Sequence, residues 1–309
     1  MTTAPPSADS ERAGSERAAD AAKHGLRTAG RSAIRAYGMA TAQWRSAPDF
    51  VIIGAKRCGT TSLYRYLGEH PQVAPLFPSA KHLPLMRSDQ KGVHYFESNY
   101  ARGSRWYRSH FRTAWARRRA GQITGEASPY YLFHPRVPQL AAKEIPDARL
   151  IALLRDPVER TYSHWSEQRR NGVETLSFED ALAAEPERIA GERERLLADP
   201  AAVSFPYEQQ SYALQSEYAE SFERWRAHFP REQMLVLRSE DLYADPQGTY
   251  DRVTAFLGLA PHRLAKPEPW NAAPRSALAP ATRDELIARF APTEARLREL
   301  VDPDLRWER

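Results

Sequence analysis

A chain of 309 residues can bury a substantial core, as one large domain or two small ones, and its 42% apolar and 27% charged residues are ordinary for a globular protein. No apolar run approaches the ~20 residues that span a bilayer, the polar stretch 1–20 has no apolar core of a secretory signal, and a lone Cys58 excludes an internal disulfide and fits a reducing compartment, so a cytoplasmic location is expected. The net charge of +5 reads equally as a mildly basic surface alone or as attraction for an anionic donor and acceptor, while no zinc-finger spacing or RNA-recognition signature points to nucleic acid.

Residues 1–20 read as disordered. Residues 21–44 are rich in Ala and Arg, with Leu26, Ile34, Tyr37 and Trp44 among the cations. They form a basic amphipathic helix on this reading, lying on the domain or, as the second option, docking at a membrane surface. The folded domain is placed at 47–309, after an N-terminal segment 1–46. Pro48 and Asp49 punctuate the approach to an apolar strand at 50–53. A helix from Thr60 to Gly68 follows, with Thr61, Leu63, Tyr64 and Leu67 on its inner face, and Pro71 ends it. Residues 74–92 have no clear period and read as loop. A short strand at 122–125 precedes Glu126-Ala127-Ser128-Pro129, and a buried strand covers 150–154. Asp156 as N-cap and Pro157 at the first helical position start a helix that ends near Asn171-Gly172. Ser177 and Asp180 begin another, predicted over 178–198. Residues 212–229 are predicted helical, with Tyr218, Phe222, Trp225 and Phe229 at core spacing. A strand at 234–237 and helices at 246–257 and 280–300 complete the chain. Strands separated by helices predict an α/β fold, a P-loop-like three-layer arrangement with a central parallel sheet and right-handed crossovers.

The chemistry concentrates after the first strand, in Gly54-Ala55-Lys56-Arg57-Cys58-Gly59-Thr60-Thr61-Ser62. An apolar run feeding a glycine-bounded turn and then a helix directs backbone N–H groups at an anion. Gly54 and Gly59 keep the spacing of a Walker A loop, G-x-x-x-x-G-K-[ST], but Thr60 stands at the lysine position and the lysine has moved forward to Lys56. Arg155 stands at a strand end where a Walker B loop has Asp, and Asp156 is explained as the helix cap.

The G-x-K-x-x-G-T-T arrangement resembles the 5′-phosphosulfate loop of sulfotransferases that use 3′-phosphoadenosine-5′-phosphosulfate (PAPS). The run Leu150 to Trp165 resembles the same family's 3′-phosphate motif, with Arg155 and Ser163 at the phosphate-holding positions. Lys91-Gly92-Val93-His94-Tyr95-Phe96-Glu97 resembles the K-E-x-H-F-F-D segment of heparan-sulfate-type sulfotransferases and their bacterial relatives. The resemblance spans roughly 47–309.

It implies transfer of a sulfuryl group from PAPS to a hydroxyl, with an amine as second choice, on a carbohydrate, glycolipid or secondary metabolite. Lys56 would stabilise the charge developing on the bridging oxygen as the 5′-phosphate leaves. Arg57, Cys58, Gly59, Thr60, Thr61 and Ser62 would complete the cradle. Arg155, Ser163 and Arg275 would meet the 3′-phosphate, Arg275 from a C-terminal loop around Trp270 to Pro274. The transferred group carries less charge than a phosphoryl group, so no metal is expected. On the acceptor side the resemblance points to Lys91 and to Glu126, whose other reading is a strand-end cap or ion pair. The family's basic Glu is Gly92 here, and Ala127 replaces the family lysine after Glu126. Three readings of the general base follow: His94, Glu97 acting directly or orienting His94, or a carboxylate elsewhere such as Glu126. His94 is preferred, since its unperturbed pKa lies near operating pH. The bland reading makes it a hydrogen bonder to substrate. Cys58 reads as a small buried thiol, or else as one with its pKa lowered by the helix N-terminus and Lys56. The rival functions are a P-loop kinase or nucleotidase, and a catalytically impaired nucleotide-binding or membrane-surface module.

Overall fold

Strand β1 (Phe50–Gly54) is buried along its whole length, as a strand covered on both faces must be. In this computed structural model, which describes residues 32–77, 91–267 and 278–307, it lies at the centre of a five-stranded sheet. The others are β2 (Val73–Ala74), β3 (Ile123–Ala127), β4 (Arg149–Leu154) and β5 (Met234–Arg238), in the order β2-β3-β1-β4-β5. Every pairing is parallel, with Val51 opposite Glu126 on one side and Leu150 on the other. The predicted α/β fold is therefore the observed one. Connections on the two sides of β1 diverge, so the loop after it opens at the crevice where parallel sheets bind ligands.

Helices Thr60–Glu69, Pro157–Arg170, Pro246–Leu257 and Pro280–Leu300 fall where the sequence places them. Asp156 caps the second as expected, its Oδ1 accepting from the N–H groups of Val158 and Glu159 at 2.8 and 3.1 Å. Ser177 Oγ accepts from the Asp180 N–H at 3.2 Å. Tyr218, Phe222, Trp225 and Phe229 are all in the core.

Three details differ. The helix predicted over 178–198 is two helices, Phe178–Arg188 and Glu192–Ala198, broken at Gly191, which adopts φ +73°. The helix predicted from 212 begins only at Tyr218. The buried Arg160 guanidinium takes the Tyr212 carbonyl at 2.9 Å, drawing it into a polar contact outside the helical ladder. On the first helix Ser62, Leu63, Tyr66 and Leu67 are buried. Thr61, expected on that inner face, instead faces a pocket, and Tyr64 is half-buried.

The described part of the N-terminal segment packs on the domain. Arg45 is buried, donates from Nε to Thr41 Oγ1 at 2.8 Å, and lies 4.0 Å from the Phe77 ring centroid. Tyr37 and Trp44 stay exposed. No helix among the described residues is long and apolar enough to cross a membrane.

Candidate active site

The carboxyl ends of β1 and β4 and the loop after β3 open into a pocket of about 330 Å³. It gathers groups far apart in sequence. Lys56, Arg57 and Gly59 come from the loop after β1, Thr60 and Thr61 from the helix it opens, Lys91 and His94 from the segment before β3, Arg155 from the residue after β4 and Ser163 from the following helix. Gly59 supplies φ +82° at the helix start, and a Cβ there would meet Tyr243 Oη at 3.1 Å. The first helical hydrogen bond runs from the Leu63 N–H to the Gly59 carbonyl at 3.2 Å. The amides ahead of it form the open first turn, a ready anion site.

Carboxylates that the sequence reading did not single out hold the cations. Lys56 Nζ donates to Gln209 Oε1 at 3.0 Å and to Glu208 Oε1 at 3.3 Å, both on the short helix Phe205–Gln209. Burial lowers the Lys56 pKa, and Glu208 opposes that shift. Arg57 donates to Ser163 Oγ at 3.2 Å and pairs with Glu167, and Arg155 pairs with Glu159 at 3.6 Å. Lys91 Nζ donates to Thr61 Oγ1 at 2.5 Å, and burial pushes its pKa down to about 8. Arg160, also missed, is fully buried and donates from Nε to the Lys56 carbonyl at 3.2 Å. The signal was available, because Pro157, Val158, Thr161 and His164 share its buried helix face.

Beside this cradle, His94 adopts φ +53° and faces the pocket half-exposed. Its Nδ1 lies 2.6 Å from Glu97 Oε1. Burial pushes the Glu97 carboxyl up to about 7, and the hydrogen bond that the His94 ring N–H donates to that carboxylate raises the His94 imidazole. Glu97 Oε2 is buried with no hydrogen-bond partner among the described residues. Gly92 explains how the ring fits. A Cβ there would stand 3.0 Å from His94 Nε2, 2.6 Å from the Ala127 carbonyl oxygen and 2.8 Å from Ser128 Oγ.

Four expected site residues do not present side chains to the pocket, the first being Glu97, whose carboxylate is buried against His94 Nδ1. Glu126 is fully buried, its two oxygens accepting four hydrogen bonds from Val93 N–H, Ser128 Oγ, Tyr107 Oη and Tyr131 Oη. With both oxygens saturated it is no acceptor contact. Ser62 and Cys58 point into the core. Burial raises the Cys58 thiol rather than lowering it, so the native protein is expected to resist iodoacetamide at pH 8, with mass spectrometry showing alkylation only after denaturation. Arg275 and its loop lie outside the described residues. Among the described residues no group of three or more His, Cys, Asp or Glu is placed to hold a metal ion.

A Sulfotransferase family model matches residues 48–263. The chain is 31% identical over 223 residues to human bifunctional heparan sulfate N-deacetylase/N-sulfotransferase 3, covering 70% of this chain and 23% of that protein. It is 31% identical over 215 residues to human heparan sulfate glucosamine 3-O-sulfotransferase 3B1, covering 70% of this chain and 47% of that one. The chain thus spans less than half the length of these curated relatives. A crystal structure of a sulfotransferase from Alicyclobacillus acidocaldarius superposes with a TM-score of 0.60 at 32% identity, covering 84% of this chain and 98% of that one. With a matching family model over most of its length and this geometry at its carboxyl edge, the chain belongs to the sulfotransferase family.

Proposed function

We propose that the protein transfers the sulfuryl group of PAPS to a hydroxyl of a carbohydrate, glycolipid or secondary metabolite, with an amine as second choice. One observation carries the reading. Lys56 with the open first turn at Thr60 and Thr61, and Arg155 with Ser163, line one pocket, so two separate clusters of anion-attracting groups face a common space. A donor with phosphate at both 5′ and 3′ positions fits that pair, whereas a mononucleotide fits half of it. The acceptor oxygen bonds to sulfur as the bond from sulfur to the bridging oxygen breaks, and the acceptor's proton passes to His94 Nε2. The products are the sulfate ester and adenosine 3′,5′-bisphosphate. Lys56 meets the charge left on the phosphate, and the step places no metal there. Relatives named for 3-O- and N-sulfotransfer on heparan sulfate support a sugar hydroxyl first and an amine second. The lone, buried Cys58 supports a reducing, cytoplasmic setting.

Calorimetry with adenosine 3′,5′-bisphosphate, ATP and 5′-AMP, without metal, tests the donor site. The bisphosphate should bind best, and Arg155→Ala should cost about 1.5–3 kcal/mol, roughly 10–100-fold, by removing a charge-assisted contact. Equal affinity for ATP and the bisphosphate would favour a kinase or nucleotidase, a reading that Thr60 at the Walker lysine position already disfavours.

A further inference from the structure

The segment that carries His94 is held through its backbone. The N–H groups of Val93, His94, Tyr95 and Phe96 all point to one buried group, directly or through a single hydroxyl. Val93 N–H donates to Glu126 Oε2 at 2.6 Å. His94 N–H donates to Ser128 Oγ at 3.1 Å, and that hydroxyl donates to Glu126 Oε2 at 2.8 Å. The Tyr95 and Phe96 N–H groups reach Tyr131 Oη at 2.8 and 3.4 Å, and Tyr131 Oη lies 3.1 Å from Glu126 Oε1. Tyr107 Oη completes the carboxylate at 2.7 Å. Ahead of them the Lys91 carbonyl accepts from the Ala127 N–H at 2.7 Å, tying the segment to the end of β3.

We infer that Glu126 is a positioning residue, which acts through Ser128 and Tyr131 to lock the left-handed backbone of His94 and aim its ring across Gly92 into the pocket. The argument is physical. A non-glycine residue at φ +53° is held only where its surroundings over-determine it. Here consecutive amides converge on one carboxylate, with no intervening strand pairing to do that work. A carboxylate suits the task because it accepts on both oxygens, whereas a glutamine would turn an N–H₂ group towards one pair of these donors. Glu126 sits one residue before the end of β3 and pairs with Val51 of the central strand, so the lock is anchored in the most rigid part of the sheet.

The inference rests on His94 being the base, and the test separates the two. Turnover and bisphosphate affinity would be measured for Glu126→Gln and Ser128→Ala, each alone and combined with His94→Gln. Misplacing the base should lower kcat by about 10²-fold in Glu126→Gln and ~10-fold in Ser128→Ala. Bisphosphate affinity should hold, and neither change should lower kcat further in the His94→Gln background. An equal proportional loss in both backgrounds, or a loss of bisphosphate affinity alongside kcat, would make Glu126 a support of the fold and overturn the inference. Should Glu126→Gln fail to fold, Ser128→Ala decides alone. ¹⁵N spectra of the His94 ring, which need no turnover, should change in Ser128→Ala. Unchanged ring signals would also overturn it. If His94→Gln alone leaves kcat at the wild-type value, the base reading fails, while a ring shift in Ser128→Ala would still establish the positioning.

Discussion

Lys56→Ala is expected to lower kcat by about 10²–10³-fold, the loss typical of one preorganised donor at a developing charge. Bisphosphate affinity should fall far less, because the charge Lys56 meets grows only as the bond to sulfur breaks. The residue is set for this role by three features. Its carbonyl is pinned by the buried Arg160, its ammonium is partly desolvated, and its partners Glu208 and Gln209 hold Nζ at the pocket wall. Desolvation strengthens any charge it meets. Lys56→Arg should not restore the rate, since a planar guanidinium cannot replace a point charge packed 5.7 Å from the Tyr130 ring centroid. Single-turnover kinetics at saturating donor and acceptor give the answer. A rate within about threefold of wild type would move the leaving-group role to Lys91 or Arg57, two further cations of the pocket.

The residues of the candidate donor pocket were legible because their signals are local. A buried strand, a glycine turn and a helix start occupy consecutive residues, and Arg155, Asp156 and Pro157 mark the next strand-to-helix junction within three positions. The parallel sheet followed from the same alternation. The counter-charges were not legible. Glu208 reaches Lys56 across 152 residues and Glu167 reaches Arg57 across 110, and nothing in a five-residue helix such as Phe205–Gln209 announces its neighbour. Glu126 shows the opposite failure. The resemblance suggested contact with substrate, but the end of β3 is buried on both faces, and hydroxyls from Tyr107 and Tyr131 close around this carboxylate. Gly92 looked like the loss of a base. In three dimensions its missing side chain makes the room in which His94 Nε2 sits.

That geometry sets the pH dependence of the second large effect. His94→Gln is expected to lower kcat by about 10²–10³-fold while leaving bisphosphate affinity intact, the loss usual for a general base. In the proposed mechanism His94 takes the proton only with Nε2 free. The Glu97 hydrogen bond raises the His94 pKa above its ordinary 6.5, opposed by burial, and the carboxylates of Glu126 and Glu208 add to the rise from neighbouring elements. Since the folded value lies above the free one, activity is suppressed below it and recovers as pH rises through it. The acid limb of kcat should therefore lie above pH 6.5. Glu97→Gln removes the largest cause of the rise and leaves burial, so the limb should move to lower pH. The plateau should also drop, because a glutamine does not stabilise the imidazolium that forms as the proton is taken. A limb that stays in place in Glu97→Gln would mean that another group carries the proton. Gly92→Glu is no shortcut back to a carboxylate base, because its Cβ would press on the Ala127 carbonyl at 2.6 Å. Combined with His94→Gln it should leave the enzyme as slow as His94→Gln alone, and recovery of turnover would show that the segment can move aside.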